Sequence, residues 1–258
     1  MRKKTLIGFF ILSILTIFGS SVLTAYVAPT SGTSTPSEIE SKMIKDICLT
    51  TISIFGVLIT IFISASVVPN EVENKVIYTV LSKPIRRFQY LLGKFIGVQL
   101  TVILNLVLMG ILFCIAVYSK EGIFPSLLIW AILLTYCEFL VISAFTFAVS
   151  CSATSAVLPT IGGLFIYIIG NLTEYLKDVA NRVGESTVLA DKIVRETAYW
   201  LYMVLPNLQK FSLKNQVLYL SVNDPPKDAQ IPQVIAYALA CTVVGYIIAL
   251  WVFRRKEL

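Results

Sequence analysis

PNEVENKVIYTVLSKPIRRFQYLLGK, residues 69–94, is a charged, helix-patterned stretch wedged between two long apolar runs. Val72, Val76, Ile77, Val80 and Leu81 recur at helical spacing on one face, which leaves Glu71, Glu73, Asn74 and Lys75 for the other. Asn70 is placed to cap the N-terminus, with Glu73 three residues on, and Pro84 ends the helix about three turns later. The pattern predicts a short amphipathic helix over residues 70–83 that lies at a membrane surface. A plain interfacial linker helix is the alternative reading of the same residues.

Working outward, Ile47–Val68 before this stretch and Tyr90–Tyr118 after it are each long enough to cross roughly 30 Å of hydrocarbon at about 1.5 Å per residue. Pro84 opens the helix of the latter at its first turn, and Arg86, Arg87 and Lys94 mark its entry. Toward the N-terminus, Met1–Lys4 is basic and Thr5–Val27 reads as a first span. A cleaved signal peptide shares the basic start, but the run is long for one and no clean small-x-small cleavage site follows. Ala28–Asp46, rich in Ser, Thr and Pro, reads as an exposed loop.

Toward the C-terminus, Ser119–Ile123 is a short loop, Phe124–Val149 a fourth span, and SCSATS (Ser150–Ser155) a turn into a fifth, Ala156–Leu172. The fifth is near the lower length limit for crossing, and is either little tilted or continues into the next loop. Thr173–Ile231 is the long hydrophilic region and carries helical patterning, with a stripe at Leu172, Tyr175, Leu176, Val179 and Val183 and a second helix from near Ser186 to Leu205. Tyr199, Trp200 and Tyr202 suit an interfacial anchor better than a ligand box. Pro232–Phe253 is the sixth span.

With 57% hydrophobic and 14% charged residues, the chain holds more apolar side chain than a soluble core of 258 residues can hide. The formal charge of +6 is not gathered in a nucleic-acid patch but sits at the ends of apolar runs. Placing both termini in the cytoplasm puts the Lys and Arg excess on the inner side and the long loop outside. The expectation is an all-α polytopic protein of the cytoplasmic membrane, a single domain of six transmembrane helices. It has a cytoplasmic amphipathic helix between spans two and three and a helical extracytoplasmic insertion between spans five and six.

The chain has no His, and its five cysteines fall in or beside apolar segments, so neither a disulfide framework nor a zinc site is expected. No nucleotide-binding loop is present. At the Gly93-Lys94 pair, Phe88 stands where the upstream glycine would be and Phe95 where Ser or Thr would be. Neither a Gly-x-Ser-x-Gly elbow nor His-Glu-x-x-His occurs, so no catalytic residue and no cofactor is assigned to this chain, and it is not expected to be an enzyme.

Glu138 lies near the middle of the fourth span, with Thr135 and Thr146 roughly on its face. An ionisable group there costs about 2.5 to 3.5 kcal/mol on insertion scales, so it must face the bundle, either as a substrate or gating contact or as a hydrogen bond between helices. Gly162 and Gly163 in the fifth span suit close packing, across a dimer interface or within the chain. Asn171-Leu172-Thr173 matches a glycosylation sequon placed close to the membrane.

Glu71-x-Glu73, Leu81-Ser82, Pro84 with Arg87 three residues on, and Leu92-Gly93-Lys94 leading into a span resemble the signature of the type-2 ABC transporter permease family. Lys75 stands where that pattern has glycine, Val80 where it has its first leucine, and the threonine comes later as Thr79. The six-span layout resembles the family over nearly the whole chain, and LPNLQKF (Leu205–Phe211) is similar to a stretch in the outer loop of some members. Only four residues precede the first span, where some members carry an amphipathic N-terminal helix.

The resemblance implies a permease subunit of an ATP-driven exporter, paired with an identical or similar permease chain. Each chain would dock on a separate ATPase subunit that carries ATP and Mg. It makes 70–83 the coupling helix, with Glu71, Glu73, Lys75, Val80, Leu81, Pro84 and Arg87 at the ATPase. A non-transporting scaffold or sensor that binds a partner through the outer loop is the second reading. A secondary transporter is the third, disfavoured because Glu138 has no second buried charge with which to relay a proton.

Overall fold

The computed structural model of the chain describes residues 36–74, 87–121, 126–182, 206–211 and 231–255, with positions 11, 14 and 19 near the start. The described residues form five long helices and no strand: α1 Pro36–Glu73, α2 Arg87–Glu121, α3 Ser126–Ser152, α4 Val157–Arg182 and α5 Ile231–Arg255, plus a 3-10 turn at Gln209–Phe211. Apart from those three positions, the expected first span lies outside the described residues. Four of the helices contain stretches long and apolar enough to cross a membrane: Lys45–Glu73, Arg87–Ile115, Ile129–Ser152 and Pro232–Arg255. The apolar part of α4, Val157–Thr173, is shorter. All-helical structure is what hydrocarbon demands, because a helix satisfies its backbone donors and acceptors internally.

The helices alternate in direction. Glu71 near the end of α1 meets Tyr90 and Lys94 near the start of α2, so these two are antiparallel. Phe95 packs on Phe147 and Gly110 on Ile132, which makes α2 and α3 antiparallel. Gly162 and Gly163 lie against Val149 and Thr146, which reverses α4 relative to α3. Gly245 sits on Ala144 while Phe253 stacks on Tyr90, so α5 runs with α3.

Helix α3 is the hub and touches the other four helices. Val141, Ile142, Ser143 and Ala144 are all buried, a full turn with no side left for lipid. By contrast α2 buries one stripe, Val98, Val102, Leu106, Met109, Phe113 and Val117, at spacings of three and four. Its opposite face, including Ile96, Leu100, Leu104 and Ile111, is exposed, as it must be when the surrounding solvent is acyl chain.

Three expected boundaries move. Helix α1 begins at Pro36, inside the segment read as an exposed loop, with proline at a first-turn position where its missing N–H costs nothing. It also continues through Pro69 to Glu73, so residues 70–73 end this helix instead of opening the expected helix 70–83. Asn70 is therefore not an N-cap; its carbonyl accepts from the backbone N–H and the side-chain amide of Asn74. Proline removes one hydrogen bond here, but Val68 is buried and Val72 packs beside it on α2, α3 and α5 residues, which holds the last turn helical. Residues 75–83 of the expected helix lie outside the described residues. Helix α4 runs on to Arg182, as the stripe through Val179 allows, into the segment assigned to the outer loop.

Glycines mark the closest helix contacts. A Cβ on Gly56 of α1 would fall within the Phe139 ring of α3, which is itself buried, whereas a Cβ on Gly97 would meet nothing within 4 Å. Alanine is favoured over glycine in a helix by about 1 kcal/mol. Gly97→Ala is therefore expected to hold or raise the thermal unfolding midpoint in detergent, and Gly56→Ala to lower it through overpacking of roughly 1–3 kcal/mol. Equal midpoints for the two variants would contradict the α1–α3 contact.

Candidate functional site

At the end of the bundle where α1 stops and α2 begins, the Glu71 carboxylate accepts hydrogen bonds from both the Tyr90 hydroxyl and the Lys94 ammonium. Its side chain is only 19% exposed, so it is not offered freely to a partner as its place on a solvent face of helix 70–83 would require. The sequence pairs these residues only across 19 and 23 positions, and the hairpin of antiparallel helices brings them together. Glu73, one turn-side away, is exposed and available.

The same end draws in α5. Arg87 donates to the Arg254 carbonyl at 3.4 Å, a cation at a helix C-terminus, where the unsatisfied carbonyls carry negative charge. Tyr246 donates to the Phe88 carbonyl at 3.2 Å, and Tyr90 stacks on Phe253 with ring centroids 6.0 Å apart. Phe95 lies between Phe147 and Tyr246. Arg255 sits 3.7 Å above the Trp251 ring. Phe88 and Phe95 entered the sequence reading only as departures from a nucleotide-binding loop, and the other aromatics drew no assignment. Their signal is position, since Tyr and Trp collect where spans meet the interface beside basic residues.

Between α1 and α2 at this end lies an open cleft of about 610 Å3, lined by Ile63, Val67, Asn70, Glu71, Gln89, Tyr90, Gly93, Lys94, Gly97, Val98 and Thr101. Gly93 and Gly97 keep its α2 wall low, because neither has an atom within 4 Å of where a Cβ would stand.

Deeper in the bundle, Glu138 is 8% exposed and faces inward, as expected. Its electrostatic neighbour is Tyr167 of α4, and no described side chain hydrogen-bonds its carboxylate. The two threonines do not gather around it. Thr135 donates to the Ala131 carbonyl of its own helix, and Thr146 packs against α4, its Oγ1 2.7 Å from where a Gly163 Cβ would stand. Gly163 also abuts Ile61 of α1, and Gly162 abuts Val149, so both glycines make packing contacts within the chain.

The structure adds a polar link absent from the sequence reading. Buried Gln99 of α2 donates to Ser143 of α3 at 2.6 Å, and Tyr136 reaches the Gln99 amide oxygen at 3.5 Å. An amide inside an otherwise apolar span is the signal that would have found it.

At the opposite end, Pro206–Phe211 folds back onto the bundle. Leu208 N–H donates to the Gly170 carbonyl, Gln209 Nε2 to the Asn171 carbonyl, and Asn207 N–H to the Tyr237 hydroxyl. Leu208 and Phe211 are buried in the main core. Lys75, Val80, Leu81 and Pro84 lie outside the described residues, as do Tyr199, Trp200 and Tyr202.

Apolar outer faces, a buried acidic residue and interhelical polar links define a multi-pass membrane protein. The chain belongs to the ABC-2 family of transporters: the family model described as ABC-2 family transporter protein matches residues 1–258. No curated protein matches the chain.

The Glu71 clasp predicts coupling between its members. In a double-mutant cycle of Glu71→Ala and Lys94→Ala, read by thermal unfolding in detergent, an interaction of about 1 kcal/mol is expected for this half-buried, charge-assisted pair. Strict additivity would mean that the pair does not hold α1 to α2.

Proposed function

We propose that the chain is the transmembrane permease subunit of an ATP-driven ABC exporter in the cytoplasmic membrane. It works with a second permease chain, identical or similar, and each docks on a separate ATPase subunit that binds ATP and Mg. The observation that carries this reading is the family match over the whole chain, joined to a bundle in which α1 and α2 are clasped on either side of residues 75–86. With both termini inside, as the distribution of basic residues favours, the clasp faces the cytoplasm and the ATPase.

A push on the segment between Glu71 and Lys94 then reaches α1 and α2 together. Through Tyr90, Phe95 and Arg87 it also reaches α3 and α5. Exposed Glu73 is the described acidic group best placed to meet a basic partner. Rigid-body rocking of such clasped helices is a known route between inward- and outward-open states.

Purification in mild detergent is expected to bring down an ATPase subunit with the chain. In proteoliposomes, charge reversal of Glu71 and Glu73 to Lys is expected to leave ATP hydrolysis measurable while transport falls by about tenfold or more, a coupling loss of about 1.4 kcal/mol. Transport unchanged by that reversal would sink the coupling role, and absence of any accompanying ATPase would sink the exporter reading. Glu138→Gln keeps shape and hydrogen-bonding capacity; full transport activity in this variant would exclude a contact that needs the carboxylate.

A further inference from the structure

We propose that the cleft between α1 and α2 beside Glu71 is a binding site for a phospholipid whose head group carries a primary ammonium next to its phosphate. Three features converge on it. The first is a matched pair of opposite charges at the mouth. Among the described residues Glu71 accepts from two donors, Tyr90 and Lys94, and a carboxylate offers about four acceptor sites. Among the described residues Lys94 donates one of its three N–H groups, to Glu71. The pair therefore has room for an incoming ammonium at Glu71 and an incoming phosphate oxygen at Lys94, and a zwitterionic head group supplies both side by side. A purely anionic head group meets the carboxylate as well as the ammonium and gains less.

The second feature is the wall. Ile63, Val67 and Val98 line the cleft below the charges, which suits the first methylenes of an acyl chain and not a soluble anion. The third is access from the side. Gly93 and Gly97 are exposed, with nothing near a would-be Cβ, and their neighbours Ile96 and Leu100 are 55% and 68% exposed on the face of α2 that meets acyl chains. The cleft is thus continuous with the bilayer and, at about 610 Å3, falls within the size of ordinary ligand pockets. A primary ammonium is favoured over a quaternary one because its N–H groups can donate to a carboxylate, whereas quaternary ammonium groups are recognised by open aromatic faces. Tyr90, only 8% exposed, has its ring already taken up by Phe253 and by the Lys94 ammonium 5.7 Å from its centroid.

The test uses the full-length chain in detergent micelles holding equal amounts of dioleoyl phosphatidylethanolamine, phosphatidylcholine and phosphatidylglycerol. Lipids retained after gel filtration are counted by native mass spectrometry. Phosphatidylethanolamine is expected to be retained about tenfold over either competitor, equivalent to about 1.4 kcal/mol. Gly97→Leu, which fills the cleft and leaves the charges in place, is expected to abolish the preference with the unfolding midpoint unchanged. Gly93→Leu serves as the second filler should the first fail to fold.

Equal retention of all three lipids by the unmodified chain would overturn the proposal, as would preferential retention of phosphatidylglycerol, which would mark a simple anion site. A preference that survives both fillers would place the lipid elsewhere and overturn it too. Excess soluble glycerophosphoethanolamine is expected not to displace the lipid; displacement would show a site for a free head group. A change in oligomeric state caused by the fillers in lipid-free micelles would assign the cleft to a second copy of the chain instead. None of these readouts depends on ATP or on a partner ATPase, so the result stands apart from the transport reading.

Discussion

The bundle depends on the burial of the middle of α3 on every side, around the turn at residues 141–144. In a bilayer, lipid is as apolar as leucine, so helices gain little by hiding apolar surface from it and associate through close packing and polar links. A hub helix must therefore present surfaces that neighbours can approach closely. Gly56, Gly163 and Gly245 supply that approach from α1, α4 and α5, against Phe139, Thr146 and Ala144 of α3. From α2 the link is polar, Gln99 to Ser143. Four neighbours thus grip one helix by two physical means, and the outward faces of α2, α4 and α5 are left to the acyl chains.

Around that hub the two ends of the bundle are built differently. The Glu71 end is held by charge and aromatic stacking among side chains of α1, α2, α3 and α5. The Leu208 end is closed by a short turn, two of whose hydrogen bonds are accepted by carbonyls near the limit of the apolar part of α4. Charged and aromatic contacts suit an interface where head groups and water compete, and backbone hydrogen bonds suit a segment tucked back toward the core.

Much of this was legible beforehand because hydropathy over about 20 residues is a strong signal. The long apolar spans, the break after Ser152 and the inward aim of Glu138 all follow from it. What the residues did not reveal is which faces meet protein and which meet lipid, since both are apolar. Gly56 was passed over for that reason, while the packing of Gly162 and Gly163 on α3 was one of two uses open to them. The other misreading was local. Asn70 followed three residues later by Glu73 satisfies a capping rule, but packing of Val68 and Val72 carried α1 through Pro69 and turned a start signal into an end. The Glu71–Lys94 link was out of reach for a different reason, being set by how two antiparallel helices fall into register.

The fold-back at Pro206–Phe211 has a bearing on how the far end of the bundle can move. It bonds to the end of the apolar part of α4 through Gly170 and Asn171 and to α5 through Tyr237, so the two helices are stitched across a point where nothing in their sequence adjoins. Each bond is modest, about 1 kcal/mol net, yet α4 and α5 cannot part there without breaking one side of the stitch, either the two bonds to α4 or the one to Tyr237, and disturbing the buried Leu208 and Phe211 side chains. The turn therefore acts as a fuse in series with any widening of that end. Its strength sets how rarely the helices separate there.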